Sequence, residues 1–114
     1  MRHHNNIKSF NRPKNQREAL MKSLARSLVI KEKIRTTGAK AKSLRPFVER
    51  VITYAKKGTI ASKRDAIALV GVDTSKKLDE LAKRFEDRKG GYTRITKLPR
   101  RMSDGSTMSV IEFV

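Results

Sequence analysis

The stretch RKGGYTRITKLPRR, residues 88–101, holds six Lys or Arg, a glycine pair and a tyrosine, and no carboxylate. A second acid-free stretch opens the chain, where Arg2, Lys8, Arg12 and Lys14 stand among asparagines that include Asn11. The chemistry open to such clusters is neutralisation of phosphate, which is strong, salt-sensitive and largely independent of sequence. Asparagine amides and the imidazole of His3 add hydrogen bonds to phosphate oxygens, and glycines let another chain approach closely. Within 88–101 the expected phosphate contacts are Arg88, Lys89, Arg94, Arg100 and Arg101, with Gly90 and Gly91 turning the chain beside them. Tyr92 has two readings, a ring stacked on an unpaired base or a ring packed in the core with its hydroxyl on a polar partner.

Other chemistries find little support. General acid–base catalysis needs two titratable groups whose surroundings push their pKa values apart, whereas the carboxylates here alternate with lysines on helical faces or stand alone. The pair Gly90–Gly91 lacks the following Lys and Ser or Thr of a phosphate-binding P-loop and follows a helix rather than a strand. His3, third from the amino end, has the position from which amine, amides and imidazole can hold Cu²⁺ or Ni²⁺ in a square plane. A basic arm whose histidines meet phosphate accounts for it more simply. No catalytic residue, metal, cofactor or small-molecule substrate is expected.

The whole composition points the same way. With 28 Lys and Arg against 11 Asp and Glu, the 114-residue chain carries +17, and such a charge seeks a polyanion. Residues 1–64 hold 18 basic and 3 acidic side chains, residues 65–114 hold 10 and 8, and the segment 65–87 is slightly acidic and is expected to face away from the partner. No apolar run approaches the roughly 18 residues of a membrane helix, and MRHHNNIKSF lacks the apolar stretch of a signal peptide. A cytoplasmic protein with no membrane partner is therefore expected. Cysteine is absent, which removes disulfides and thiolate zinc sites together.

The elements that must position these residues follow from periodicity. Residues 1–15 have no apolar period and read as a basic arm that orders on its partner; residues 16–114 form one domain. From Gln16 to about Ile30, Leu20, Leu24 and Leu28 recur every four residues with Met21 and Ala25, while Lys22 and Arg26 form a basic face. KIRTTG at 33–38 is β-branched, ends in glycine and suits a strand. Ala41, Leu44, Val48, Val51, Ile52 and Ala55 repeat at helical spacing up to Gly58, and Pro46 either kinks that helix or sits in the first turn of one beginning near Ser43. Ser62 with Asp65 resembles a capping box, and Thr74 starts a helix burying Leu78, Leu81, Ala82 and Phe85. Residues 92–98 and 107–114 are strands separated by an Asp-Gly turn signal. The order α-β-α-α-α-β-β predicts a two-layer α+β domain, a three-stranded mixed sheet with helices on one face.

Seven segments in chain order resemble one known family, the bacterial large-subunit ribosomal proteins numbered seventeen. They are MRH at 1–3, FNR at 10–12, REAL at 17–20, IRTTGAKAK at 34–42, ITYAKKG at 52–58, GGYTRI at 90–95 and MSVIEFV at 108–114. They span essentially the whole chain in one register. The resemblance implies the same element order and a structural protein of the bacterial large (50S) subunit, bound to its 23S rRNA on the solvent side near the peptide exit tunnel, beside other small ribosomal proteins. With it, the expected RNA-binding set takes in Arg17, Arg35, Thr36, Thr37, Lys40 and Lys42 as well. The competing expectation is a nucleoid-type or general nucleic-acid-binding basic protein, followed by an enzyme acting on RNA.

Overall fold

The computed structural model describes Phe10 and residues 12–114, so the expected ordering of residues 1–9 and Asn11 on a partner lies outside the described residues. Helix α1 spans Lys14–Lys31 and takes in Lys14 and Asn15, which the sequence assigns to the arm. Pro13 sets this start: its ring holds φ at −59°, and its carbonyl accepts the N–H of Arg17 at 2.9 Å. Met21, Ala25, Leu28 and Val29 are buried, whereas Leu20 and Leu24 are half-buried, so the core face is rotated from the expected leucine row. The rotation follows from packing, because α1 rests on other helices and on the first strand together.

Strand β1, Lys33–Thr37, leads directly into helix α2, Gly38–Lys57, whose first turn is capped by the Thr37 hydroxyl accepting from Lys40 N–H at 3.4 Å. All six apolar positions expected of α2 are buried, and Gly58 ends it in the left-handed conformation at φ 72°. Pro46 lies in the interior of this helix, which begins well before Ser43. Both Pro46 and Lys42, whose carbonyl lacks the proline N–H, are exposed, so water can meet the freed acceptor.

Helix α3, Ile60–Val70, begins ahead of the expected Ser62–Asp65 box. Thr59 is the cap instead: its hydroxyl accepts Ser62 N–H at 3.2 Å, and Ser62 is buried inside the first turn. After a single 3₁₀ turn at Val72–Thr74, helix α4 spans Ser75–Arg84. Thr74 does not cap α4 through its side chain; its buried hydroxyl donates to the Gly71 carbonyl at 2.7 Å. Leu78, Leu81 and Phe85 reach the core as expected, and Ala82 packs against it half-buried.

Strands β2, Thr93–Leu98, and β3, Met108–Phe113, complete a three-stranded sheet in the order β1-β3-β2. Every neighbouring pair is antiparallel, which corrects the expected mixed sheet. Three helices carry the chain from one end of β1 back to the other, so β1 and β2 run the same way. The hairpin strand β3, the most buried of the three, slots between them and bonds to both edges. Ile34, Ile111 and Ile95 line up across the face that the helices cover. The two-layer α+β architecture with helices on one face is otherwise as expected.

Candidate nucleic-acid interface

Strand alternation sends every second side chain to the sheet face that the helices leave open. Register places Lys33, Glu112 and Arg94 in one row of that face, and Arg35, Val110 and Thr96 in the next. Lys33, Arg35, Arg94 and Thr96 are all exposed. Glu112 is the carboxylate of these rows, and Arg94 Nε donates to it at 3.2 Å. The face is therefore a shallow cationic platform whose charge is only partly answered within the chain.

Two hollows flank the platform and share Arg35. One, about 440 Å³, lies at the β2–β3 hairpin, where Arg35, Leu98, Pro99, Arg100, Arg101 and Met102 surround it. The other, about 320 Å³, lies between α1 and the β1 edge, with Lys31, Lys33 and Arg35 in its wall and no carboxylate. In the hairpin, Arg101 holds Asp104 through a 2.7 Å ion pair. That guanidinium bond, followed by the hydrogen bonds from Ser106, keeps the Asp104 carboxyl well below the usual carboxylate range, and the same pair raises the Arg101 pKa. The loop is thus braced internally, while Arg100 is exposed.

The other end of the 88–101 stretch does different work. Gly90 and Gly91 take φ of 125° and 60°, the left-handed region that glycine reaches without strain, and turn the chain into β2. Arg88 Nε donates to Gly91 O at 3.1 Å across this turn, and Lys89 is exposed. Tyr92 is 4% exposed, which settles its two readings for the core and corrects its inclusion among RNA-binding residues. Its ring lies 5.1 Å from Phe85, and its hydroxyl accepts from Lys56 Nζ at 3.0 Å and donates to the Arg88 carbonyl at 3.2 Å. An aromatic ring with a polar tip is well satisfied there and has no face left for a base. The six-residue strand β2, roughly 20 Å long, holds Arg88 and Lys89 at one end of the sheet and Arg100 and Arg101 at the other. The stretch is therefore two clusters joined by a strand.

Carboxylates gather on the helical side. Asp73 pairs with Arg26 of α1, Asp79 with Lys63 of α3 at 3.1 Å, and Glu80 with Lys77 within α4. Arg26 is consequently engaged away from the platform, a departure from its expected place on a free basic face. Glu32, at the α1–β1 turn, is joined by Arg84 and Lys77, and its pKa is lowered chiefly by the hydrogen bond from Arg84. Among the described residues no group of three or more His, Cys, Asp or Glu is arranged to hold a metal, and no helix is long and apolar enough to cross a membrane.

The family model for ribosomal protein L17 matches residues 20–114 of this chain. The chain belongs to that family. It is 56% identical to the large ribosomal subunit protein bL17 of Hydrogenobaculum sp., with 100% of this chain and 99% of the relative aligned. It is 50% identical to the bL17 protein of Persephonella marina, over 100% of this chain and 95% of the relative. Against the bL17 protein of Shouchella clausii it is 46% identical over 90% of this chain and 94% of the relative. Ribosomal protein L17 is a structural component of the ribosome and not an enzyme, so this chain has no catalytic role to assign.

Within this L17 fold the expected RNA-binding residues separate into groups. Arg2, His3, Lys8 and Asn11 lie outside the described residues. Arg12 donates to the Phe10 carbonyl at 3.0 Å, and Lys14 and Arg17 follow in the first turn of α1, with Lys22 exposed one turn on. Arg35, Arg94, Arg100 and Arg101 are brought together around the open face. Thr37, Lys40 and Lys42 surround the start of α2, whereas Thr36 is buried on the core side of β1 and serves packing. Lys31 and Lys33 were not singled out by the sequence, since neither stands in an acid-free run; only their pairing in space with Arg35 shows them.

Proposed function

We propose that this chain is a structural component of the bacterial large (50S) ribosomal subunit that binds 23S rRNA through the open face of its sheet. The observation that carries the reading is the division of charge between the two layers. Lys31, Lys33, Arg35, Arg94 and Arg100 gather on and around the open sheet, while Asp73, Asp79 and Glu80 are tied up on the helical side. An RNA backbone laid across that face meets cations from α1, β1, β2 and the hairpin, and the one carboxylate in its central rows, Glu112, is paired with Arg94. The contacts are to phosphates, since the platform presents long cationic side chains and no exposed aromatic ring for a base to stack on. Membership of the L17 family supports a cytoplasmic site on the solvent side of the subunit, around the peptide exit tunnel and beside other ribosomal proteins.

Co-sedimentation tests the reading. The protein is expected to pellet with large subunits at moderate salt and to be left behind by small subunits. Equal retention by both subunits and by duplex DNA would instead mark a general nucleic-acid-binding protein.

A further inference from the structure

The core side of the sheet changes character along its length. One row, Ile34–Ile111–Ile95, is apolar and lies beneath the helices, but the next toward the start of α2 is Thr36–Ser109–Lys97. Polar side chains on the covered face of a two-layer domain require partners. Thr93 Oγ1, on this same face, is the enclosed side-chain oxygen left without a partner among the described residues, whereas Ser109 is 3% exposed and its hydroxyl borders the open basin at the start of α2. That hydroxyl lies 3.5 Å from where a Cβ on Gly38 would stand, so it faces the first turn of α2.

Between the two is an open basin of about 450 Å³. Lys42 comes to it from α2, Lys97 from β2, and Ser106 from the hairpin, and its lining includes no carboxylate. The backbone there is short of acceptors as well. Gly38 N–H is taken by Thr107 O at 2.9 Å and Lys40 N–H by the Thr37 hydroxyl at 3.4 Å. The N–H of Ala39, between them, has no acceptor within the helix, as at the start of any α-helix. A 20-residue helix also presents the positive end of its dipole at this point.

We propose that this basin binds a single phosphate group, and that the group it takes is a backbone phosphodiester of the RNA. The inference rests on the RNA-binding reading above and adds to it a discrete site on the opposite side of the sheet from the platform. Ala39 N–H and the Ser109 hydroxyl donate to the non-bridging oxygens. Lys42 and Lys97 supply the charge, and as compact ammonium groups they suit a tetrahedral oxyanion where a planar carboxylate would call for the fork of arginine. Gly38 keeps the floor of the basin clear.

Two variants of the full chain test this. Gly38→Ala introduces a methyl at ordinary contact distance, 3.5 Å from Ser109 Oγ and 3.7 Å from Thr107 Cγ2, so the fold accommodates it while the hydroxyl is covered. Lys97→Gln removes one charge. Amide spectra of the wild type titrated with inorganic phosphate are expected to show saturable shifts at Ala39, with affinity falling about threefold or more in each variant, as for loss of one hydrogen bond or one charge. For a 23S rRNA fragment, Lys97→Gln is expected to lower the slope of log affinity against log salt by about 0.7–0.9, the loss of one neutralised phosphate. Lys63→Gln, on the helical side, leaves both readouts unchanged. If the wild type binds the fragment normally and neither variant changes the slope or the Ala39 shift, the basin takes no phosphate while the RNA-binding reading stands. A phosphate-induced Ala39 shift with an unchanged RNA slope would overturn the assignment to the RNA backbone and leave a free-phosphate site. Failure of the wild type to bind the fragment would remove the RNA reading and the inference with it.

Discussion

Tyr92→Ala separates folding from RNA binding. The ring is 4% exposed and lies against Phe85 at 5.1 Å, which in turn stands 6.1 Å from Phe113, so its removal empties one end of a three-ring cluster. Truncation of a buried aromatic costs about 3–5 kcal/mol. The hydroxyl adds to this, because Lys56 Nζ and the Arg88 carbonyl each lose a partner. For a domain of this size the expected shift is roughly 10 °C or more in Tm. Tyr92→Phe keeps the ring and removes only the hydroxyl, and is expected to cost about 0.5–1.5 kcal/mol. Urea unfolding gives both values, and titration of the folded fraction with a 23S rRNA fragment gives the affinity, expected to match wild type for Tyr92→Phe. A Tyr92→Ala protein that keeps its stability within about 1 kcal/mol but loses RNA affinity would refute the core assignment.

Arg94→Ala is expected to change stability by no more than about 0.5 kcal/mol, since its pair with Glu112 is exposed, and to weaken RNA binding measurably in a filter assay. Thr59→Ala removes the acceptor for Ser62 N–H at the start of α3 and is expected to lower stability by about 0.5–2 kcal/mol in chemical denaturation, with RNA affinity unchanged. The pKa of Glu32 is lowered by Arg84 and Lys77, so its contribution is present above the unfolded carboxylate range and is lost as pH falls through its folded value. Stability measured by urea titration should therefore decline on acidification below about pH 4.5, and Glu32→Gln should flatten that decline. Affinity for an isolated rRNA fragment should fall by about 10³–10⁵ between roughly 50 and 200 mM salt if about six to ten phosphates are neutralised; a nearly flat response would assign the affinity to contacts other than phosphates.

Where one face of an element decides its place, the sequence was sufficient. The six apolar positions of α2 are all buried, and the glycine pair adopts the positive φ expected of it. Local signals failed where tertiary packing overrode them. Ser62 has the residue type of a cap, but Thr59 caps and Ser62 is inside the helix; Thr74 bonds backward to Gly71 instead of forward. Pro46 stays within α2 because its side of the helix meets solvent. A mixed sheet is the expectation when β1 and β2 are taken as neighbours, but element order does not fix which strands pair, and β3 inserts between β1 and β2. The candidate interface was legible as charge and hidden as geometry. Acid-free runs pointed to Arg94, Arg100 and Arg101, but Lys33 joins them only through cross-strand register, and Tyr92, in the middle of a basic run, belongs to the core. Lys97, two residues before Pro99 in the same run, is carried by strand alternation to the opposite face from Arg94.

A cryo-electron-microscopy map of the assembled large subunit containing this chain is the most direct test of the central claim. The account predicts 23S rRNA backbone within hydrogen-bond reach of Arg35, Arg94 and Arg100, with Asp73, Asp79 and Glu80 turned away from it. RNA packed against α3 and α4, with the open sheet face bare or covered by another protein, would contradict it.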